Sequence, residues 1–428
     1  MKLFARELPL APNPLRLARR LSAHGPLTFL WSADASGPSF LGLQPSAWSE
    51  QFDPEPELEL RAWPSELSFA PRWIGLLPYE AYRQRERTAW TRTPDTRAEP
   101  HVRGPLWQRF GAVVCMGERV SVVGDDPHSV RDVASQLLAA AAGDDAPEPS
   151  LLTPLPGEPP ASHAERVRAA LELIRAGQIY QVNLARRLNF TTRGRPVDLL
   201  ERLCRDQRPR YAAALSWKHP SLGGELGVVS TSPELLLEQR ADGRLLTSPI
   251  KGTRPRGRDL REDRRLAQEL AEDPKEHAEL SMVVDVERND LGRVSSVGSV
   301  RVRSPRVVAQ GLVWHRRADV IGRVRSGVTR AELLEAVLPS GSVTGAPKIR
   351  AMEVIAGLEA ERRGLYTGGF GILNHRGELQ LAMAIRTLSM RDGIGHYFSG
   401  GGIVADSQPS REVEETHWKA QQLFGRAV

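Results

Sequence analysis

Lysine is scarce in this chain: of its 58 basic residues, only Lys2, Lys218, Lys251, Lys275, Lys348 and Lys419 are not arginine. Cysteine is scarcer still. Cys115 and Cys204 lie far apart, with no partners at metal-ligand spacing and no histidine beside them in a nucleophile motif. A disulfide framework is thereby excluded, and both thiols read as buried packing residues. No apolar run approaches the roughly 20 residues that span a bilayer. Behind Lys2 and Arg6, the residues Glu7, Pro9, Pro12 and Pro14 break any signal-peptide core, so a cytoplasmic protein without membrane association is expected. The net charge of +6 comes with no helix-turn-helix, zinc-finger or aromatic RNA-binding signature. Its basic residues are interleaved with Asp and Glu along the chain, which suits an anionic small substrate better than nucleic acid.

The scarcity of lysine gives meaning to the lysines that remain. Arginine stays protonated, whereas lysine can lose its proton and act as a nucleophile. Lys251, Lys348 and Lys419 fall in the three most unusual segments of the sequence. Lys2 and Lys218 read as solvated surface.

Residues 1–142 form a Pro- and Trp-rich first region with short alternating runs that read as strands. Residues 143–160 contain six prolines and several acids and read as a linker without regular structure. From 161 to 428 helical and strand patterns alternate. Ser162 and Glu165 make a capping box for a helix reaching Gly177, and Tyr180–Leu184 alternates as a strand. A strand pair is expected around Val228 and Leu235, with 241–244 as its turn, then a charged helix over Asp259–Glu272. The fold class is α/β or α+β; strand order is not readable.

Two helices carry paired carboxylates. The first starts at Asp273-Pro274, an N-cap followed by proline, and puts Glu276, Glu279, Met282, Val283 and Val286 on one face. The second starts near Pro409 and puts Glu412, Glu415 and Lys419 on one face. Carboxylates in an apolar stripe are costly unless paired or metal-bound, and oxygen ligands suit a hard cation such as Mg²⁺. Glu276 could instead be a capping acid, and Glu412 a surface residue paired with Arg411. Between these helices lies Pro339–Lys348 (PSGSVTGAPK), which runs into a helix expected to end at Gly364. Its free N–H groups and the Thr344 hydroxyl could cradle an anion, although the spacing is not that of a Walker A loop. The glycine clusters at 368–371 and 400–402 could admit a ligand to the backbone or mark bulges. Asn289 and Asp290 read as a cap and turn with Gly292. His315 stands alone and reads as structural or as a proton donor in a pocket.

The segments YQVNLARR, SPE, PIKGTRPRG, AELSMVVDVERNDLGRV, SGSVTGAPK, YTGGFG, AIRTL and GGGIVADSQPSREVEET, in this order, resemble the chorismate-binding enzymes. Within them the chain is similar to the component I proteins of aminodeoxychorismate synthase, strongly over 160–428 and loosely before. The resemblance implies a large two-sheet, mainly antiparallel β-sandwich core with outer helices. It implies Mg²⁺ on Glu279 and Glu415 with help from Glu276 and Glu412. It also implies substrate contacts from Thr344, Tyr366, Gly368, Arg386, Gly402 and Lys419. Lys251 would be the nucleophile, Glu234 the acid for the leaving hydroxyl, and His315 a further proton donor. Relatives that add water carry a lysine where this chain has Gln181, and anthranilate synthases carry alanine where it has Lys251. The expected reaction therefore turns chorismate and ammonia into 4-amino-4-deoxychorismate, for 4-aminobenzoate and folate synthesis. The alternatives are anthranilate synthase component I and an inactive chorismate-binding subunit. The chain has no Gly-x-Cys-x-Gly segment, so ammonia is expected from a separate glutaminase subunit. The Leu-Leu-Glu-Ser segment of tryptophan-inhibited relatives is missing, so that inhibition is not expected.

Overall fold

A strand that is apolar at every position needs an apolar partner on each face. Ala112–Met116 is such a strand: Val113 and Cys115 pack with Phe40, Ile74, Phe110 and Ile372. Ala112, Val114 and Met116 pack the other way, with Leu17, Leu21, Val130 and Leu137 of the helices Pro14–Ser22 and Pro127–Ala142. The computed structural model, which describes residues 2–60, 69–84, 95–143, 149–205, 208–219, 224–311, 313–421 and 423, repeats this logic throughout. A 12-stranded sheet and a 10-stranded sheet, with antiparallel pairings, enclose an apolar layer in which Leu76 and Phe370 meet Leu215 and Val228. Helices cover the outer faces. Leu280, Val284 and Leu291 of the helix Pro274–Val294 close over Leu237, Leu245 and Val320 of the second sheet. This is the two-sheet sandwich expected from the resemblance.

Strands from the first 142 residues enter both sheets. Thr28–Trp31 pairs with Tyr211–His219 in the first, and Pro71–Leu77 pairs with Gly369–Asn374 in the second. Both cysteines are buried and free, and burial pushes the Cys204 thiol up to about 12. No helix among the described residues is long and apolar enough to cross a membrane.

Gly75 shows how tightly the second sheet is filled, because a Cβ there would overlap the indole of the fully buried Trp107. Overpacking of this kind costs about 1–3 kcal/mol. Gly75→Ala is expected to lower the unfolding free energy by that amount, read as a lower urea midpoint with an unchanged m value.

Several expectations are corrected. Within the stretch read as a linker, Leu151–Leu155 is a strand, because its backbone pairs with Asn189–Arg193 at a sheet edge that accepts Pro154. Residues 144–148 of that stretch lie outside the described residues. The next helix begins at Pro160 rather than at a Ser162 capping box, since proline fits the first helical turn. Val228 and Leu235 belong to different sheets; the turn at 240–243 joins Leu235–Gln239 to Arg244–Ser248. Asn289 and Asp290 do not end their helix, which continues to Val294, because Asp290 is buried against Lys348 at 2.9 Å. The helix after Pro347 stops at Leu358, not Gly364.

Candidate active site

Two adjacent crossovers between the sheets form the floor of the site. Ser232-Pro233-Glu234 carries the chain from Gly224–Ser232 in the first sheet to Leu235–Gln239 in the second. Ala384-Ile385-Arg386 carries it back, from Leu379–Met383 to Thr387–Arg391. The crossovers are tied together: Met383 donates its backbone N–H to the Glu234 carbonyl at 3.0 Å, and Thr231 donates to the Arg386 carbonyl at 3.1 Å. Arg386 holds φ at 51°, a conformation that costs a non-glycine residue energy and persists where the surroundings enforce it. It is enclosed by protein, and no ion pair to it is formed among the described carboxylates. Burial lowers its affinity for a proton, while Tyr397 and Glu234 act the other way. An enclosed cation without a carboxylate is a place for an anion.

Lys251 comes from the edge strand Ile250–Pro255 and lies across this floor. Its Nζ donates to the Ser342 carbonyl at 3.4 Å and forms no ion pair among the described residues. Burial depresses its pKa, offset in part by the charges of Glu279 and Glu234. Glu234 is buried; desolvation raises its carboxyl to about 7, even though the Ser342 hydroxyl (2.9 Å) and Lys251 favour the ionised form. His315 lies on Val313–Arg323, the strand paired with that of Lys251. Its Nδ1 is 3.0 Å from the Thr253 hydroxyl, and its buried Nε2 has no partner. Burial, aided by Arg386, lowers the imidazole to about 4, so it is neutral at pH 7. A neutral ring with an open nitrogen fits either proton donor or acceptor.

Gly402 borders the same space, since a Cβ there would stand 2.6 Å from Gln181 Nε2 and 3.6 Å from Lys251 Nζ. Both polar atoms of the buried Gln181 side chain lack partners. Sequence reasoning noticed Gln181 only as the absence of a lysine. Its alternation with Asn183 on the strand Gln181–Arg193 was the available signal that it faces inward.

The carboxylates gather on two helices that face one space. Lys275, on the helix Pro274–Val294, acts on Glu412 and Glu415 of the helix Pro409–Gln421, and Lys251 acts on Glu279 and Glu415. Burial and the neighbouring Glu279 raise Glu276; burial and Glu415 raise Glu412. Burial alone would raise Glu415, but Lys419 at 2.5 Å, with Lys251 and Lys275, lowers it. A Cβ at Gly401 would stand 3.2 Å from oxygens of both Glu412 and Glu415. Among the described residues no three His, Cys, Asp or Glu side chains are grouped closely enough to hold a metal. The carboxylates are held by basic groups instead: Lys275 lies 3.7 Å from Glu279, and Arg254 lies 3.5 Å from Glu276. Carboxylate oxygens are the donor chemistry that a hard divalent cation takes.

The other expected residues make internal contacts. The Thr344 hydroxyl donates to the Ser340 carbonyl at 2.8 Å, so it does not present its proton to an anion. Lys348 is engaged by Asp290 and the Ala336 carbonyl. The Ser-Gly-Ser segment delivers the Ser342 hydroxyl to Glu234. Gly368 is needed because a Cβ would overlap the Leu77 carbonyl of the adjoining strand. Tyr366 is buried and stacked on Phe398 at 5.3 Å. Lys419 donates to the Gly400 carbonyl at 2.7 Å, beside the site.

The family profile described as chorismate binding enzyme matches residues 25–425. Anthranilate synthase component 1 from Thermus thermophilus is 46% identical over 265 residues, 61% of this chain and 56% of the relative. The protein of the same name from Streptomyces coelicolor is 45% identical over 266 residues, 62% of this chain and 51% of the relative. The match thus spans little more than half the length of these relatives. Among solved structures, anthranilate synthase component I from Streptococcus pneumoniae TIGR4 covers 99% of this chain and 92% of its own, with 27% identity and a TM-score of 0.73. The menaquinone-specific isochorismate synthase from Escherichia coli, at 19% identity, shares the fold with a TM-score of 0.78, covering 99% of this chain and 94% of its own.

Proposed function

The chain belongs to the chorismate-binding enzymes, and from that premise we propose that it aminates chorismate at C4, giving 4-amino-4-deoxychorismate and water. The observation that carries this reading is Lys251: an enclosed amine with no carboxylate partner and a depressed pKa, beside Glu234 with its raised one. Neutral Lys251 Nζ attacks ring C2, both double bonds of the ring diene shift, and the 4-hydroxyl leaves as water with the proton of Glu234. Ammonia then attacks C4, both double bonds shift back, and the lysine is expelled. The enolpyruvyl group is untouched. Arg386 supplies fixed positive charge for a substrate carboxylate, and neutral His315 offers its open Nε2. Glu279 and Glu415, with Glu276 and Glu412, would hold Mg²⁺, which when bound would anchor the ring carboxylate. The reading includes a cytoplasmic enzyme that draws ammonia from a separate glutaminase subunit and serves 4-aminobenzoate and folate synthesis.

A second reading has a specific observation behind it. The curated relatives at 45–46% identity are named anthranilate synthase component 1, which favours anthranilate as the product over the aminodeoxychorismate expected from sequence. The resemblance supports the first reading only through Lys251, where anthranilate synthases carry alanine. The two are separated by incubating the protein with chorismate, Mg²⁺ and ammonium and resolving the products by chromatography. Aminodeoxychorismate is expected. Fluorescent anthranilate as the direct product overturns the first reading and establishes the second.

A further inference from the structure

From Glu234 a line of hydrogen-bonded side chains enters the protein. Ser342 Oγ lies 2.9 Å from Glu234 Oε1 and 2.9 Å from Ser340 Oγ, and Ser340 Oγ is hydrogen-bonded to Glu287 Oε1. Each hydroxyl has one hydrogen, so the line is complete when one carboxyl is protonated and donates and both hydroxyls point towards the other. All four side chains are buried: Glu234, Ser342, Ser340 and Glu287 are 5%, 4%, 2% and 1% exposed. The line thus ends inside the molecule and does not open to bulk water. Sequence reasoning assigned none of Glu287, Ser340 or Ser342 a role.

We propose that Glu234 and Glu287 share one proton through the hydroxyls of Ser342 and Ser340, making Glu287 a closed proton reserve for the acid of the active site. The proposal rests on the reading that Glu234 protonates the leaving hydroxyl of chorismate. A hydroxyl accepts and donates at once, so the line has two complete orientations. In one, Glu287 holds the proton and every hydroxyl points towards an ionised Glu234. In the other, Glu234 holds the proton and every hydroxyl points towards Glu287.

The step balances without an outside reagent. With the shared proton resting on Glu287, Glu287 gives it to Ser340 Oγ, Ser340 passes its own to Ser342 Oγ, and Ser342 passes its own to Glu234. The O–H bond so formed on Glu234 then breaks, and that proton leaves on the 4-hydroxyl as water. When ammonia becomes an amine at C4 it releases one proton. That proton returns to Glu234 and, by the reverse shifts, to Glu287.

The surroundings suit this role. Asp290 and Lys348 face Glu287 with opposite effects, Asp290 favouring the neutral acid and Lys348 the anion, while burial raises its pKa. Lys251, Arg386 and Glu287 face Glu234. The charge of Glu287 disfavours ionisation of Glu234, and a like-charge neighbour of this kind leaves a pair holding a single proton.

The test has two arms. In the free enzyme, pH-difference infrared spectroscopy follows the carboxylic-acid C=O band that disappears in Glu234→Gln. Glu287→Gln removes the negative neighbour and is expected to move the titration of the Glu234 band to lower pH. An unmoved titration overturns the shared proton, and this arm holds whether or not chorismate is the substrate. In the second arm, single-turnover consumption of chorismate is measured for Ser340→Ala and Ser340→Thr. The alanine variant is expected to be roughly tenfold slower with an unchanged KM for chorismate, and threonine to restore the rate. Equal losses in both variants, or wild-type speed with alanine, overturn the relay. A wild-type protein that does not consume chorismate overturns the functional reading, and the infrared arm then decides the shared proton.

Discussion

Lys251→Ala is expected to lower the rate of aminodeoxychorismate formation by at least about 10³-fold, with chorismate still bound, because the covalent step has no other amine to perform it. The lysines around the site are otherwise engaged: Lys275 by Glu279, Lys419 by Glu415 and the Gly400 carbonyl, and Lys348 by Asp290. The same loss should appear with free ammonium and with glutamine plus a glutaminase partner. A loss confined to the glutamine-fed reaction would place Lys251 on the ammonia path instead. The pH profile adds a signed check. Lys251 attacks only when neutral, so the rate climbs as pH rises through its depressed pKa. Glu234 donates only when protonated, so the rate falls as pH rises through about 7. The wild-type profile is therefore a bell, and the alanine variant should keep only the alkaline fall.

Much of this site was legible in the sequence, because its parts sit on elements with strong local signals. Asp273 caps its helix by accepting from the backbone of Lys275 and Glu276, as its place before Pro274 predicts, and the helix Pro409–Gln421 starts at its proline. The charged helix after Asp259 forms for the same reason. Sequence failed where a tertiary partner decides the outcome. Asp290 looks like a helix terminator, yet its ion pair with Lys348 lets the helix run a further turn. The Ser-Gly-Ser segment forms a short 3₁₀ turn whose serines serve two buried carboxylates, partners that no local pattern announces. Leu151–Leu155 looks like a linker because its proline content hides an edge strand, whose pairing costs proline nothing on the open side. The crossovers that set Glu234 beside Arg386 depend on strand order, and no local pattern carries that.

Removal of divalent cations should have an effect as large as loss of Lys251. Burial raises both Glu276 and Glu412, with Glu279 and Glu415 adding like charge, while Lys275, Arg254 and Lys419 act against it. Two carboxylate pairs so arranged repel any anionic substrate unless a cation lies between them. They also act on the nucleophile, because Glu279 and Glu415 are among the charges that keep the Lys251 ammonium protonated. Neutralising them should both admit the substrate carboxylate and release Lys251 as the free amine. Dialysis against a chelator is thus expected to reduce chorismate consumption by about 10³-fold or more, with full recovery on adding Mg²⁺. Glu279→Gln and Glu415→Gln should each weaken Mg²⁺ binding by about 10- to 100-fold, read by calorimetry with the metal alone. The same two variants should lower the pH at which Lys251 becomes reactive towards an amine-modifying reagent. Undiminished turnover in chelator would show that lysine and arginine alone satisfy the four carboxylates, with Arg386 left to bind the substrate unaided.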